Sequence, residues 1–242
     1  MFSAPRFLLV FGAILATNFL PNLARSDEGM WLFEDLPTEM LREEYGFEPT
    51  ADWAEHIMLS SVRFSSGGSA SFVSSSGLVL TYHHVADDTR HKLSTPEHNY
   101  LKDGFLAQTR ADEIPAPDLE LNQLVSVEDV TDRVNAAVSD EMDTTVAKQA
   151  RRAVMAQIEE ESAEATGLRS DVITLYGGAK YHLYRYKKYT DVRLVWAPQA
   201  KAAFFGGDND NFEYPRYCLD VTLFRVYEDD KPVEFEHFLR WS

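Results

Sequence analysis

Cysteine is almost absent: the lone Cys218 excludes an internal disulfide and any cysteine-based zinc site. Basic residues are scarce as well. The chain has 23 Lys and Arg against 39 Asp and Glu, a formal charge of −16. A surface this acidic repels phosphate, so neither nucleic acid nor an anionic membrane surface is an expected partner. No internal repeat or low-complexity linker occurs, and only one long apolar run is present, Phe7 to Leu20.

That run has the layout of a secretory signal. Met1 to Arg6 is a short positive region, the apolar stretch follows, and Ala24-Arg25-Ser26 is a small-x-small cleavage site. The apolar stretch is too short and too early for a comfortable membrane span. Residues 1–26 therefore read as a signal peptide cleaved after Ser26, with a periplasmic or secreted destination and no membrane association afterwards. Residues 27–242 remain, long enough for one good core or two small ones. Losing Arg6 and Arg25 moves the formal charge from −16 to −18.

Residues 29–48 mix aromatics and acids without periodicity and read as a lead-in packed by its Trp and Phe. Short apolar runs separated by Ser/Gly clusters come next: Ile57 to Phe64, Ser69 to Val73, and Leu78 to Tyr82 leading into His83-His84. Such runs with Gly/Ser turns suggest an antiparallel barrel or sandwich. In the middle, Ser126-Val127-Glu128-Asp129 has the form of a capping box, and Val127, Val130, Val134 and Val138 share a helical face. A second helix is predicted from Thr144 to Thr166, with Val146, Ala150, Ala153, Val154 and Ile158 inward and Gly167 as its stop. Strand patterns return at Val172 to Tyr176, Tyr181 to Tyr189 and Asp191 to Trp196, and Asp229-Asp230 reads as a hairpin turn. The Tyr-Lys-Arg alternation of 181–189 fits a half-exposed strand better than a base-stacking surface.

Two residues stand out chemically. Leu78 to Thr81 reads as a buried strand that delivers His84, and Asp220 stands directly before the apolar stretch Val221 to Tyr227. A histidine base followed in the chain by an aspartate that orients it is the order of the double-barrel serine proteases, not of the α/β-hydrolases or subtilisins. Ser69, Ser74, Ser75 and Ser76 lie in a turn, where serine is ordinary turn chemistry. A metal site at His83, His84, Asp87 and Asp88 is disfavoured because neighbours on an extended strand point apart. Asp208 and Asp210 lack the spacing of a calcium loop. No metal and no cofactor are expected.

Two stretches carry a specific resemblance. Gly68 to His84, Gly-Ser-Ala-Ser-Phe-Val-Ser-Ser-Ser-Gly-Leu-Val-Leu-Thr-Tyr-His-His, resembles the histidine motif of serine-peptidase family forty-six, the bacterial dipeptidyl-peptidases of the seven and eleven types. Phe205 to Arg216, Phe-Gly-Gly-Asp-Asn-Asp-Asn-Phe-Glu-Tyr-Pro-Arg, continuing to Asp220, resembles the second signature of that family. Lesser matches, Gly29-Met30-Trp31, Glu113 to Asp118, Asp191 to Val195 and Lys231-Pro232-Val233, cover nearly all the rest in order.

The resemblance implies a mainly β fold with inserted helices: a chymotrypsin-like double-barrel catalytic domain, here the first barrel only, with a helical insertion at about 126–166. It implies removal of dipeptides from free peptide N-termini and allows a homodimer in the longer protein. His84 matches the general base and Asp220 its orienting acid, in preference to Asp208 or Asp210. Asn211 and Phe212 match the positions that grip the substrate's α-amino group, by an amide oxygen and a ring face. The chain departs from the family at Tyr82-His83-His84-Val85, where Asn-His-His-Cys is frequent. No stretch resembles the Gly-Asn-Ser-Gly motif that carries the nucleophile, so none is assigned here. The alternative to a peptidase segment is a non-catalytic secreted relic or peptide-binding module.

Overall fold

The computed structural model describes residues 31–205 and 217–240. The predicted signal segment lies outside the described residues. The chain divides into two units, Met1–Pro37 and Thr38–Ser242. Of the first, residues 31–37 form a turn in which the Asp35 N–H donates to the Leu32 carbonyl at 3.1 Å. Trp31 and Phe33 are exposed rather than packed as the sequence suggested.

The second unit opens with helices α1 (Thr38–Tyr45) and α2 (Ala51–Ser60). Thr50 caps α2, its hydroxyl accepting from the Trp53 N–H at 3.1 Å. This corrects the expectation of a strand from Ile57: the helix runs to Ser60, and β1 covers only Ser61–Phe64. An apolar run this short suits either element, and the cap decides it. Then follow β2 (Ser69–Phe72), β3 (Leu78–Thr81), α3 (Asp87–Leu93), α4 (Tyr100–Asp103), β4 (Phe105–Leu106), β5 (Ile114–Pro115) and β6 (Leu121–Asp129). Helices α5 (Thr131–Asn135) and α6 (Thr144–Thr166) precede β7 (Arg169–Leu175), β8 (Lys180–Tyr189) and β9 (Asp191–Ala197). The short α7 (Ala200–Ala203), β10 (Thr222–Glu228) and β11 (Lys231–Pro232) complete the series.

The strands form one antiparallel sheet ordered β4-β9-β10-β3-β2-β1-β6-β8-β7, with β11 paired to β10 and β5 to β9. The sheet curls. Phe64 of β1 meets Phe224 of β10 edge to face at 5.7 Å, and Phe72 of β2 meets Tyr189 of β8 at 6.1 Å. The strands so joined are not neighbours, so their inward faces enclose a common core with Val79, Leu121, Leu194 and Val226. Phe235, beyond β11, closes this core by stacking on Phe72 at 3.7 Å.

A second cluster, Val130, Val134, Ile158, Val172, Tyr181 and Leu183, packs α5 and α6 onto β7 and β8. Here the predicted capping box fails. Ser126 to Asp129 continue β6, pairing with β8 from Ser126↔Arg185 to Asp129↔His182. The start signal is Asp129 itself, whose carboxylate accepts from the Thr131 N–H at 2.9 Å. Cross-strand pairing over the length of β8 outweighs a local cap, and Val127 stays in the sheet. The second helix runs from Thr144 to Thr166 as predicted, with Asp143 as its N-cap and Gly167, at φ 68°, as its stop. Its inward face is turned slightly from the predicted one. Ala147 and Ile158 are buried, whereas Val146 and Ala153 are exposed. At the Asp229-Asp230 turn both residues have positive φ, 50° and 59°, between the paired Glu228 and Lys231.

Candidate active site

Strand register brings His84 and Asp220 together. β3 and β10 pair antiparallel with Thr81 opposite Thr222, so the residues just after one strand face those just before the other. His84 follows Thr81 by three positions and Asp220 precedes Thr222 by two. His84 does not sit on the strand as the sequence suggested. His83 is already helical, at φ −59° and ψ −42°, and His84–Ala86 form a 3-10 turn leading into α3. On a tight helical turn successive side chains splay apart, so His83 is buried and His84 looks outward.

The contact between His84 and Asp220 is double. The His84 ring Nδ1 lies 3.0 Å from Asp220 Oδ2 and 3.2 Å from Oδ1, and the His84 backbone N–H donates to Oδ1 at 3.3 Å. The carboxylate thereby fixes ring and backbone together. With Nδ1 engaged by an acceptor, the neutral ring carries its proton on Nδ1 and leaves Nε2 as a base. The His84 side chain is 62% exposed and that of Asp220 22%, which suits a base that meets a substrate and an acid held in place. Asp220 is steadied from behind: the Leu219 N–H donates to the Ala202 carbonyl at 2.9 Å and the Val221 N–H to the Leu219 carbonyl at 2.9 Å.

Around the pair is a cavity of about 380 Å³, lined by His83, His84, Asp87, Arg90, Phe204 and Asp220 among others. Sequence reasoning missed Arg90. It is fully buried, its Nη2 donates to Asp87 and lies 3.3 Å from His83 Nδ1. Arginine only donates, so His83 Nδ1 accepts and His83 is neutral with its proton on Nε2. Burial, with the Arg90 charge, pulls the His83 pKa below the usual histidine value, while Asp87 and Asp220 oppose the shift. Burial also lowers the Arg90 pKa, against the pull of Asp87. The i,i+3 spacing of Asp87 and Arg90 at a helix start was the available signal.

Tyr82 was missed as well. Its ring lies over that of His84, with centroids 5.4 Å apart and planes 20° from parallel. Gly68 sits close beneath this turn, at φ 104°, and a Cβ there would meet Val85 Cγ2 at 2.7 Å. Ser74, Ser75 and Ser76 behave as turn residues, whereas Ser69 opens β2 and pairs opposite Arg63, which corrects the expectation of a turn there. Ser74 Oγ accepts from the N–H groups of Ser76 and Leu78 at 3.3 and 3.2 Å, and Ser76 Oγ accepts from Arg225 at 2.9 Å, at the other end of β3 from His84. Asn211, Phe212, Asp208 and Asp210 lie outside the described residues. Among the described residues no group of three His, Cys, Asp or Glu side chains is arranged to hold a metal.

The described residues thus form a mainly antiparallel β unit that presents an outward histidine clamped by an aspartate. The Peptidase S46 profile matches residues 26–242, and the chain belongs to that family. It is 37% identical over 225 residues to dipeptidyl-peptidase 7 of Capnocytophaga gingivalis, and 36% identical over 231 residues to the Asp/Glu-specific dipeptidyl-peptidase of Porphyromonas gingivalis. Each alignment covers 89% of this chain and 32% of the relative. Among solved structures, Porphyromonas endodontalis DPP11 in complex with the dipeptide Arg-Asp superposes with a TM-score of 0.74 at 30% identity, over 89% of this chain and 34% of the other. The chain thus spans about a third of the length of these relatives.

Proposed function

We propose that this chain supplies the general base and its orienting acid to a serine-type dipeptidyl aminopeptidase acting on peptides with free N-termini. The observation that carries the reading is the double contact of Asp220 with the ring and backbone of His84, which leaves Nε2 turned outward. In the proposed reaction Nε2 takes the proton of a serine hydroxyl as it attacks the scissile carbonyl, and later returns it to the leaving amine. Asp220 holds the tautomer and stabilises the imidazolium. That serine belongs to a part of the catalytic domain outside this sequence, in a second barrel facing the curled sheet described here. Asn211 and Phe212 are proposed to hold the substrate ammonium, Phe212 by its ring face. The reading further places the protein in the periplasm or outside the cell, after removal of residues 1–26, and as a homodimer in its longer form. The relatives named dipeptidyl-peptidase, and a relative's complex with a dipeptide, support the substrate class.

The test is a hybrid in which residues 27–242 replace the matching third of the Capnocytophaga enzyme. It should release dipeptides from peptides with a free N-terminus and spare the same peptides when acetylated. The hybrid with His84→Ala, and the 242-residue chain by itself, should release none, since a base without nucleophile and oxyanion hole forms no acyl-enzyme. Release by the chain alone, or by the His84→Ala hybrid at the parent rate, would refute the reading.

A further inference from the structure

A second imidazole pair stands apart from His84. His56 lies on α2 and His237 lies beyond β11, 181 positions later, yet their Nδ1 atoms are 3.3 Å apart. The ring centroids are 5.4 Å apart with planes inclined at 53°, so the nitrogens are the edges that face each other. Both residues are half-buried, open enough for a hydrated ion to reach them. A spacing of 3.3 Å is at the long end for an N–H donor. It matches the edge of a tetrahedral metal site, where two Zn–N bonds of about 2.0–2.1 Å hold their nitrogens about 3.3–3.4 Å apart.

The backbone holds both rings in place. Gln123 Nε2 on β6 donates to the Leu59 carbonyl of α2 at 2.6 Å, and the Ser61 hydroxyl donates to the Ile57 carbonyl at 2.7 Å. On the other side, the Phe235 N–H donates to the Ser75 carbonyl at 2.8 Å and the Leu239 N–H to the Phe72 carbonyl at 2.9 Å, bracketing His237. The two Nδ1 atoms therefore meet without a loop having to fold around an ion, one donating to the other until its proton moves to Nε2.

We propose that His56 and His237 form a bidentate site for a divalent transition-metal cation, represented by Zn²⁺, which clasps the segment after β11 to α2. Imidazole ligands suit zinc, copper and nickel, whereas calcium and magnesium take oxygen ligands. Both rings bind through Nδ1, so the ring that donates in the Nδ1···Nδ1 contact shifts its proton to Nε2 and both bound rings are neutral with N–H at Nε2. No third His, Cys, Asp or Glu among the described residues completes a three-side-chain site, so water fills the remaining positions. The clasp is exchangeable, and its effect is on stability rather than on the chemistry at His84.

The test titrates zinc chloride into the full chain near neutral pH in a non-chelating buffer, followed by calorimetry and thermal unfolding. The proposal expects one equivalent bound and, at a hundredfold excess over Kd, a rise in Tm of about 5–10 °C. Magnesium should give neither effect. His56→Asn and His237→Asn should each abolish both, while His91→Asn, on the exposed face of α3, should keep them. Imidazole nitrogen NMR of the unaltered chain identifies the ligands whether or not a variant folds: zinc should shift Nδ1 of His56 and His237. Absence of binding, binding that survives in both variants, or zinc-induced shifts centred on other histidines would overturn the proposal.

Discussion

His83 and His84 are neighbours in the chain with opposite surroundings. His84 faces outward against Asp220, while His83 is buried with its Nδ1 against the Arg90 guanidinium. Burial and that cation favour the neutral form of His83 in the folded state, so its folded pKa lies below its unfolded value. The contribution to stability is complete above the unfolded value of about 6.5 and is lost as pH falls through the folded one. We expect the His83 ring to titrate below an unstructured histidine in an NMR pH series, and the urea midpoint to fall with pH over the same range. A His83 titration above 6.5 would contradict the Arg90 contact. A second residue-scale expectation concerns Glu113, buried while its carboxylate accepts from Arg225 Nε at 3.0 Å and from the Tyr227 hydroxyl at 2.7 Å. Glu113→Ala strands a nearly buried cation and should cost about 3–5 kcal/mol in denaturant unfolding. A loss below 1 kcal/mol would show that water replaces the carboxylate.

At the scale of elements, the turn carrying His84 depends on Gly68, because the chain there has a positive φ and no room for a Cβ beside Val85. Gly68→Ala should cost about 1–3 kcal/mol, and more if Val85 cannot move. The displaced turn should also disturb the His84 resonances. An unchanged stability with an unchanged His84 spectrum would disprove the packing argument. The sequence showed elements best where a signal was local and uncontested. Helix α6 spans the predicted residues and stops at Gly167 as predicted, while its N-cap, Asp143, emerges only in the structure. It failed where a local signal competed with a distant partner. Ser126 to Asp129 looked like a helix start, but β8, more than fifty residues later, takes them into the sheet. Ile57 to Ser60 looked like a strand because a short apolar run has no period that distinguishes the two.

At the scale of the whole molecule, the residues of the candidate site were legible as types and order, but their meeting was not. Nothing local says that β3 pairs with β10, and that pairing places Asp220 beside His84. The resemblance of Gly68 to His84 and of the stretch ending at Asp220 stood in for it. Arg90 and the His56–His237 pair fell outside any motif, and Tyr82 lay within one without a role, since each depends on a turn or on contacts between distant parts of the chain. The central claim is that Asp220 orients His84 as a catalytic base. It is tested most directly by Asp220→Asn in the hybrid enzyme, comparing turnover of a dipeptidyl substrate with the unaltered hybrid and checking the fold by circular dichroism. The account predicts a drop of about 10⁴ in turnover with the fold intact, as the amide holds the imidazole in the wrong tautomer. Turnover within a few-fold of the parent would contradict it.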